Sequence, residues 1–285
     1  MTISGKTRVC GVIGDPIEHT LSPIIHNAAF QELKIDYLFL AFRVKAAEVA
    51  NAVNGMRALN IRGLNVTMPH KTVVVKHLDR VDLSAQIVNS VNTILNKENL
   101  LFGFNTDGVG ALKALKENGV EPKGRKVLLL GAGGAARAIA YALAKEADEL
   151  AVLNRTVKAA QALAKVLERT LNKKVAVGSL SPKDVALNLS DSDILVNATS
   201  VGMKPHFDES PVPSKLLRAD LAVMDIVYNP LETKLAKEAK AAGAKVINGV
   251  EMLVYQGAAS LELWTGKVAP VKVMRQAALK HLMRV

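Results

Sequence analysis

The chain has 285 residues, 49% hydrophobic and 22% charged, an ordinary globular composition with length enough for two domains. No apolar run approaches the roughly 20 residues that a membrane helix needs, and a single cysteine, Cys10, excludes an intramolecular disulfide. The net charge of +11 suits anionic partners, yet aromatics are only 4% and no block of five Lys/Arg occurs, so neither nucleic acid nor a membrane is expected as a partner. The N-terminal stretch Met1 to Cys10 lacks a signal-peptide pattern, and a cytoplasmic location is the expectation. The densest basic stretch is the tail from Gly266. There Lys267, Lys272, Arg275, Lys280 and Arg284 flank an apolar stripe of Val271, Met274, Ala278 and Leu282. It reads as a surface helix with a solvated face.

Strand-like and helix-like runs alternate. Val9–Ile13, Tyr37–Phe42 and Ile61–Val66 read as strands; Pro23–Leu33, Lys45–Leu59 and Pro69–Leu78 read as helices. Val91–Leu95 and Leu100–Phe104 flank a polar turn, as in a hairpin. Gly108–Asn118 is the next helix, stopped by Gly119. Strands then follow at Lys126–Leu130, Leu150–Asn154, Lys174–Val177, Asp193–Asn197, Ala222–Val227 and Lys245–Ile247. Several are continuous apolar runs, as in a parallel sheet covered on both faces. The expectation is a two-domain α/β protein. Residues 1–106 form an α/β domain, 107–249 a Rossmann-type doubly wound domain, and 250–285 are helices returning to the first domain, with a cleft between the two domains.

The stretch "KVLLLGAGGAARAIAYALA" opens the second domain. Gly131, Ala132, Gly133, Gly134, Ala135 and Ala136 fit G-x-G-x-x-A between a strand and a helix, the dinucleotide fingerprint. The first glycine permits the turn, the second lets a pyrophosphate approach the backbone, and the helix N-terminus offers free N–H groups to it. About 20 residues on, an NAD enzyme carries an acid for the ribose hydroxyl. Here Asn154, Arg155 and Thr156 stand instead, with Lys158 close by. A guanidinium suits a 2′-phosphate, so NADP(H) is the expected cofactor. Thr156 is placed to cap the next helix.

In "GDPIEHTLSPIIHNAAF", Ser22 suits an N-cap and Pro23 a first helical position. Thr20 and Ser22 then lie beside a helix N-terminus, a site for a carboxylate or phosphate. In "NVTMPHKT", Pro69 starts a helix and Lys71 falls in its first turn, where the helix dipole disfavours a cation. Asp107 reads singly as a first-turn acid, Asn92 as a turn residue, and His26 as a packing residue or one hydrogen-bonded within its helix region. His19, His26, His70 and His77 do not form a metal pattern, and no metal is expected.

Together, "GDPIEHTLSP", "NVTMPHK", "SVNTI", "GFNTDGVG", "GAGGAARA", "NRT", "NATSVGM", "DIVYNP" and "GVEMLVYQGA" resemble the shikimate dehydrogenase family, in the family's order and over nearly the whole chain. The resemblance implies an NADP-linked oxidoreductase of aromatic amino-acid biosynthesis that reversibly reduces 3-dehydroshikimate to shikimate. It implies Lys71 and Asp107 as the catalytic pair and Thr20 and Ser22 at the substrate carboxylate. It places Thr67, Asn92, Asp107 and Gln256 at the ring hydroxyls, with Asn65 nearby, and Tyr228 reaching the substrate from the cofactor domain. Gly131–Ala135 and Asn154–Thr156 resemble the cofactor contacts, and Thr199, Ile226, Gly249 and Met252 are implied neighbours of the nicotinamide half. Two positions depart from the family. Thr20 stands where serine is usual, which bears on a preference for quinate, and Asn89-Ser90 replace a more usual Gly-Ala.

In the implied reaction, charge develops on the ketone oxygen, and a placed cation and proton donor meet it. Lys71 is expected to act mainly in the transition state, with Asp107 orienting it or sharing the proton. The rivals are a broader quinate/shikimate dehydrogenase and a non-catalytic sensor that binds shikimate-like ligands; the intact Lys71 and Asp107 weigh against the sensor. The oligomeric state, a homodimer included, is not legible.

Overall fold

The structure, a computed structural model, describes residues 3–284. The described residues up to Asp107, with those from Val254 onward, form one compact unit, and Gly108–Leu253 forms the other.

In the first unit the chain runs β1 (Arg8–Gly14), α1 (Ser22–Glu32), β2 (Tyr37–Arg43), α2 (Val49–Ala58), β3 (Gly63–Val66), β4 (Arg80–Val81), α3 (Leu83–Val88), β5 (Thr93–Lys97) and β6 (Leu100–Phe104). The sheet has the order β2-β1-β3-β5-β6-β4. β1 pairs in parallel with β2 and β3, whereas β5 runs antiparallel to β3 and β6. The β5–β6 hairpin turns on Glu98 and Asn99 at φ 55 and 64°, the left-handed pair that a two-residue turn needs. Ile13, Val53, Met56, Leu64, Ile94 and Leu101 fill the core on one side of this sheet.

Pro69–Leu78 is not an α-helix. Residues 69–73 form turns, and a short 3-10 helix follows at Val74–His77. The Lys71 carbonyl accepts from Val91 N–H at 2.8 Å, and the buried His70 ring bonds the Val44 carbonyl at 2.6 Å. The first of these tertiary bonds takes a carbonyl that a helix would use, the second anchors the segment by its side chain, and the β-branched run from Thr72 to Val75 favours a helix weakly. Conversely α3, unmarked in the sequence pattern, is capped by Asp82, whose carboxylate accepts from Ser84 N–H at 3.0 Å. It ends on Asn89 at φ 49° in the left-handed region, where Asn is the usual alternative to Gly. Ser90 beside it is buried and takes hydrogen bonds from Asn105, so the departure from Gly-Ala is accommodated.

The second unit contains α4 (Asp107–Glu117, whose first residue still belongs to the first unit), β7 (Lys126–Leu130), α5 (Gly134–Glu146), β8 (Glu149–Leu153), α6 (Val157–Leu171), β9 (Val175–Gly178), α7 (Pro182–Leu189), β10 (Ile194–Asn197), β11 (Ala222–Asp225), α8 (Lys234–Ala241) and β12 (Lys245–Ile247). All six strands are parallel, in the order β12-β11-β10-β7-β8-β9. This is the doubly wound dinucleotide order, with its switch point between β7 and β10. Leu128, Leu130, Leu153, Leu195, Val223 and Leu235 pack its core. Burial of each such side chain is worth about 1.5–3 kcal/mol.

α9 (Gly249–Thr265) begins in the second unit and carries the chain back into the first. Its Trp264 is fully buried beside Phe39 and His26 and donates to the Ile94 carbonyl at 2.9 Å. A Cβ on Gly63 would fall within 2.4 Å of that indole, so this close approach needs glycine. α10 (Val271–Leu282) buries Met274 and Ala278, and Arg275 of its basic face lies over the Tyr255 ring.

Candidate functional site

In the first unit the site residues gather at one edge of the sheet. The carboxyl ends of parallel β1 and β3 lead into the segments carrying Thr20–Ser22 and Thr67–Lys71. Because β5 runs the other way, Asn92 arrives at the same edge from its amino end, and Asp107 follows the end of β6. Gly14 allows the junction, since a Cβ there would fall 2.4 Å from the Thr67 side chain. Arg43 holds the loop before Thr20 by pairing with Asp15 at 2.8 Å and Glu18 at 3.4 Å.

Lys71 Nζ donates to Asp107 Oδ2 at 2.6 Å, with side chains 13% and 4% exposed. Asn92 Nδ2 donates to Asp107 Oδ1 at 2.9 Å. The Asn92 amide cannot turn over, because its Oδ1 accepts from Thr106 N–H at 2.8 Å and from the Thr93 hydroxyl at 2.8 Å. Gln256 Oε1 lies 3.4 Å from Asn92 Nδ2. Asn65 Nδ2 donates inward to the Asn92 carbonyl and the hydroxyls of Thr93 and Ser260, at 3.0–3.2 Å. Its Oδ1 is buried without a partner among the described residues. Thr93, Thr106 and Ser260 join this network, and sequence reasoning missed them. Thr93 and Thr106 lie inside the family-like motifs "SVNTI" and "GFNTDGVG", and Ser260 sits one helical turn after Gln256.

Two local expectations are corrected. Ser22 does not cap α1. Leu21 occupies that position, with no side-chain bond, and Ser22 is the first helical residue. The Ser22 hydroxyl instead sits 3.2 Å from that of Thr20, and both remain beside the helix start. Lys71 is not in the first turn of an α-helix, so a macrodipole does not press on its charge; Asp107 is what it faces. His26 is fully buried and stacks on Phe39 with ring centroids 4.4 Å apart, and neither ring nitrogen has a partner at full hydrogen-bond geometry among the described residues, Asn65 being its nearby polar neighbour. Burial pushes its pKa down to about 3, against a smaller opposing pull from Asn65.

In the second unit Gly131, Ala132 and Gly133 form the turn from β7 into α5, whose first residues are Gly134 and Ala135. Gly131 adopts φ 114°, and a Cβ there would meet the Ala198 carbonyl oxygen at 2.6 Å, so the fold itself demands glycine. Gly133 differs. Its φ is −75° and nothing lies within 4 Å of an added Cβ. The protein has no packing reason for glycine there, whereas a diphosphate approaching the backbone supplies one. Asn154, Arg155 and Thr156 follow β8, and Arg155 and Lys158 are exposed. Arg155 has no hydrogen bond or ion pair among the described residues. Thr156 occupies the N-cap of α6 but makes no side-chain capping bond, while Asn154 donates to its carbonyl at 3.0 Å. These residues fit a phosphorylated dinucleotide.

Thr199 follows β10, Ile226 and Tyr228 follow β11, and Gly249 and Met252 open α9. A Cβ on Gly249 would fall 2.5 Å from the Val227 backbone, so helix and loop approach as only glycine permits. Tyr228 and Met252 belong to this unit, whereas Lys71, Asn92, Asp107 and Gln256 belong to the other.

Three family models match in succession: the shikimate dehydrogenase substrate binding domain over residues 12–94, shikimate/quinate 5-dehydrogenase over 113–230, and the shikimate 5′-dehydrogenase C-terminal domain over 249–279. The chain is 48% identical to a shikimate dehydrogenase (NADP(+)) of Methanopyrus kandleri, covering 99% of this chain and 98% of the relative. It is similar to a shikimate dehydrogenase crystallised with NADP+, with TM-score 0.94 and 45% identity over 99% of this chain and 98% of the other. The Thermus thermophilus enzyme, crystallised with NADP(H) and shikimate, is 38% identical with TM-score 0.87, over 96% of this chain and 99% of the other. The chain thus belongs to the shikimate dehydrogenase family.

Proposed function

We infer that the chain is an NADP-dependent oxidoreductase that interconverts 3-dehydroshikimate and shikimate. The observation that carries this reading is the Lys71–Asp107 pair at 2.6 Å, gathered with Asn92 and Gln256 at one sheet edge. The cofactor-shaped turn at Gly133 and the relatives' NADP and shikimate complexes support it.

In the proposed division of labour, residues 1–106 with the C-terminal helices hold the substrate and 107–249 hold the cofactor. Thr20 and Ser22 take the substrate carboxylate through their hydroxyls. Thr67, Asn92 and Gln256 take ring hydroxyls, Asn65 holds the Asn92 backbone, and Tyr228 is a further substrate contact. Gly131–Ala135 cradle the diphosphate, Asn154, Arg155, Thr156 and Lys158 hold the adenosine 2′-phosphate, and Thr199, Ile226, Gly249 and Met252 line the nicotinamide. Bound NADPH supplies the hydride. Lys71 stabilises the negative charge that grows on the ketone oxygen and stands within reach to protonate it. Asp107 keeps the ammonium aimed, and Asn92 holds Asp107.

The decisive measurement is a four-way kinetic comparison of shikimate and quinate with NADP+ and NAD+. The expected order puts shikimate with NADP+ highest. Turnover of none of the four combinations would leave the sensor reading, and a quinate rate equal to that with shikimate would favour the broader enzyme, with Thr20 as the residue to revert to serine.

A further inference from the structure

Asn197 ends β10 and Asp225 ends β11, and the two are register partners at the carboxyl edge of the parallel sheet. Both are buried. Asp225 Oδ1 accepts from Asn197 Nδ2 at 2.9 Å and from Val227 N–H at 3.1 Å, and Oδ2 accepts from the Thr233 hydroxyl at 2.6 Å. Asn197 Oδ1 in turn accepts from Thr199 N–H at 3.1 Å and the Thr199 hydroxyl at 2.7 Å, while its Nδ2 also donates to the Val201 carbonyl at 3.3 Å. Thr233 caps α8 and packs against Gly202. Two adjacent side chains therefore tie down the loop after β10, the loop after β11 and the start of α8.

The choice of an acid is informative. No cation pairs with Asp225 among the described residues, and burial raises its carboxyl to about 6. Burying a carboxylate with only neutral partners is costly, so strand joining alone does not account for it. A carboxylate does offer two oxygens to several donors at once, and here three segments supply them.

We propose that Asp225, acting through Asn197, is a positioning residue that fixes as one body the two loops presenting Thr199 and Ile226. The identity of what those loops receive, the nicotinamide half of the cofactor, rests on the function proposed above. Asp225 itself touches neither cofactor nor substrate in this assignment.

The test is hydrogen–deuterium exchange of the full chain without ligand, together with steady-state kinetics, for wild type and Asp225→Asn. Expected are faster exchange, by about tenfold, in both loops, 198–203 and 226–228. With it should come a rise of about tenfold in KM for NADPH and no fall in Tm. Unchanged exchange, loosening of one loop alone, or a Tm loss with KM for NADPH unchanged would overturn the proposal. Should Asp225→Asn fail to fold, Thr233→Val removes one donor to the same carboxylate. Paired loosening there supports the clasp and unchanged protection refutes it. If the wild-type chain shows no NADPH-dependent turnover, the functional reading fails, and the exchange result still decides the clasp.

Discussion

Both oxygens of Asp107 are engaged, one by Lys71 and the other by Asn92. Removing one partner of such a nearly buried pair strands the other charge, at a cost of about 3–5 kcal/mol. Lys71→Met should therefore lose both turnover and stability, while Lys71→Met/Asp107→Asn regains most of the stability and stays inactive. Urea unfolding and initial rates measure the two effects separately. Near-normal turnover in Lys71→Met would remove Lys71 from the chemistry. The fingerprint glycines invite a similar separation. Gly133→Ala meets open space, so its stability should stay within about 0.5 kcal/mol of wild type while KM for NADPH rises. Gly131→Ala must hold φ 114° against a carbonyl oxygen and should be destabilised by about 1–3 kcal/mol or more. Thermal melts of the two variants, compared with their cofactor constants, test the assignment.

At the scale of elements, the turn between β8 and α6 ends in an exposed arginine rather than an acid. Arg155→Ala should raise KM for NADPH and leave that for NADH unchanged. An equal change in both would argue against recognition of the 2′-phosphate. The β7–α5 turn and the six parallel strands were legible because their signals are local: a continuous apolar run, a glycine turn, then a helix. The segment after Thr67 was misread for the opposite reason. Proline followed by polar and apolar residues resembles a helix start, but the bonds from Lys71 to Val91 and from His70 to Val44 come from distant parts of the chain. The Ser22 cap failed similarly, displaced by one residue when Leu21 took the half-helical position. Motif resemblance singled out Lys71, Asn92 and Asp107. The network behind them, Thr93, Thr106 and Ser260, depends on strand direction and a helix from the other end of the chain, which no local pattern encodes.

For the whole molecule, His26 sets a pH dependence. Its pKa is lowered in the fold to about 3 from an ordinary value of 6.5, so below pH 6.5 the unfolded chain binds a proton that the folded chain refuses. Stability is then lost as pH falls from 6.5 towards 3, by about 1.4 kcal/mol per unit. Asp225, raised to about 6 from 3.8, works in the other direction, so its stabilising contribution fades as pH rises from about 4 to 6. The stability difference between His26→Phe and wild type, measured by urea unfolding at pH 7, 6 and 5, isolates the histidine and should shift in favour of the variant as pH falls. A difference constant across that range would contradict it. The buried indole of Trp264 offers the means to follow such experiments unit by unit. It is the chain's single tryptophan, and it lies in the first unit. Its emission on unfolding reports that unit directly, whereas far-ultraviolet dichroism reports the helices of both. Overlay of the two denaturation curves therefore tells whether the halves of this protein melt in one cooperative step or in succession.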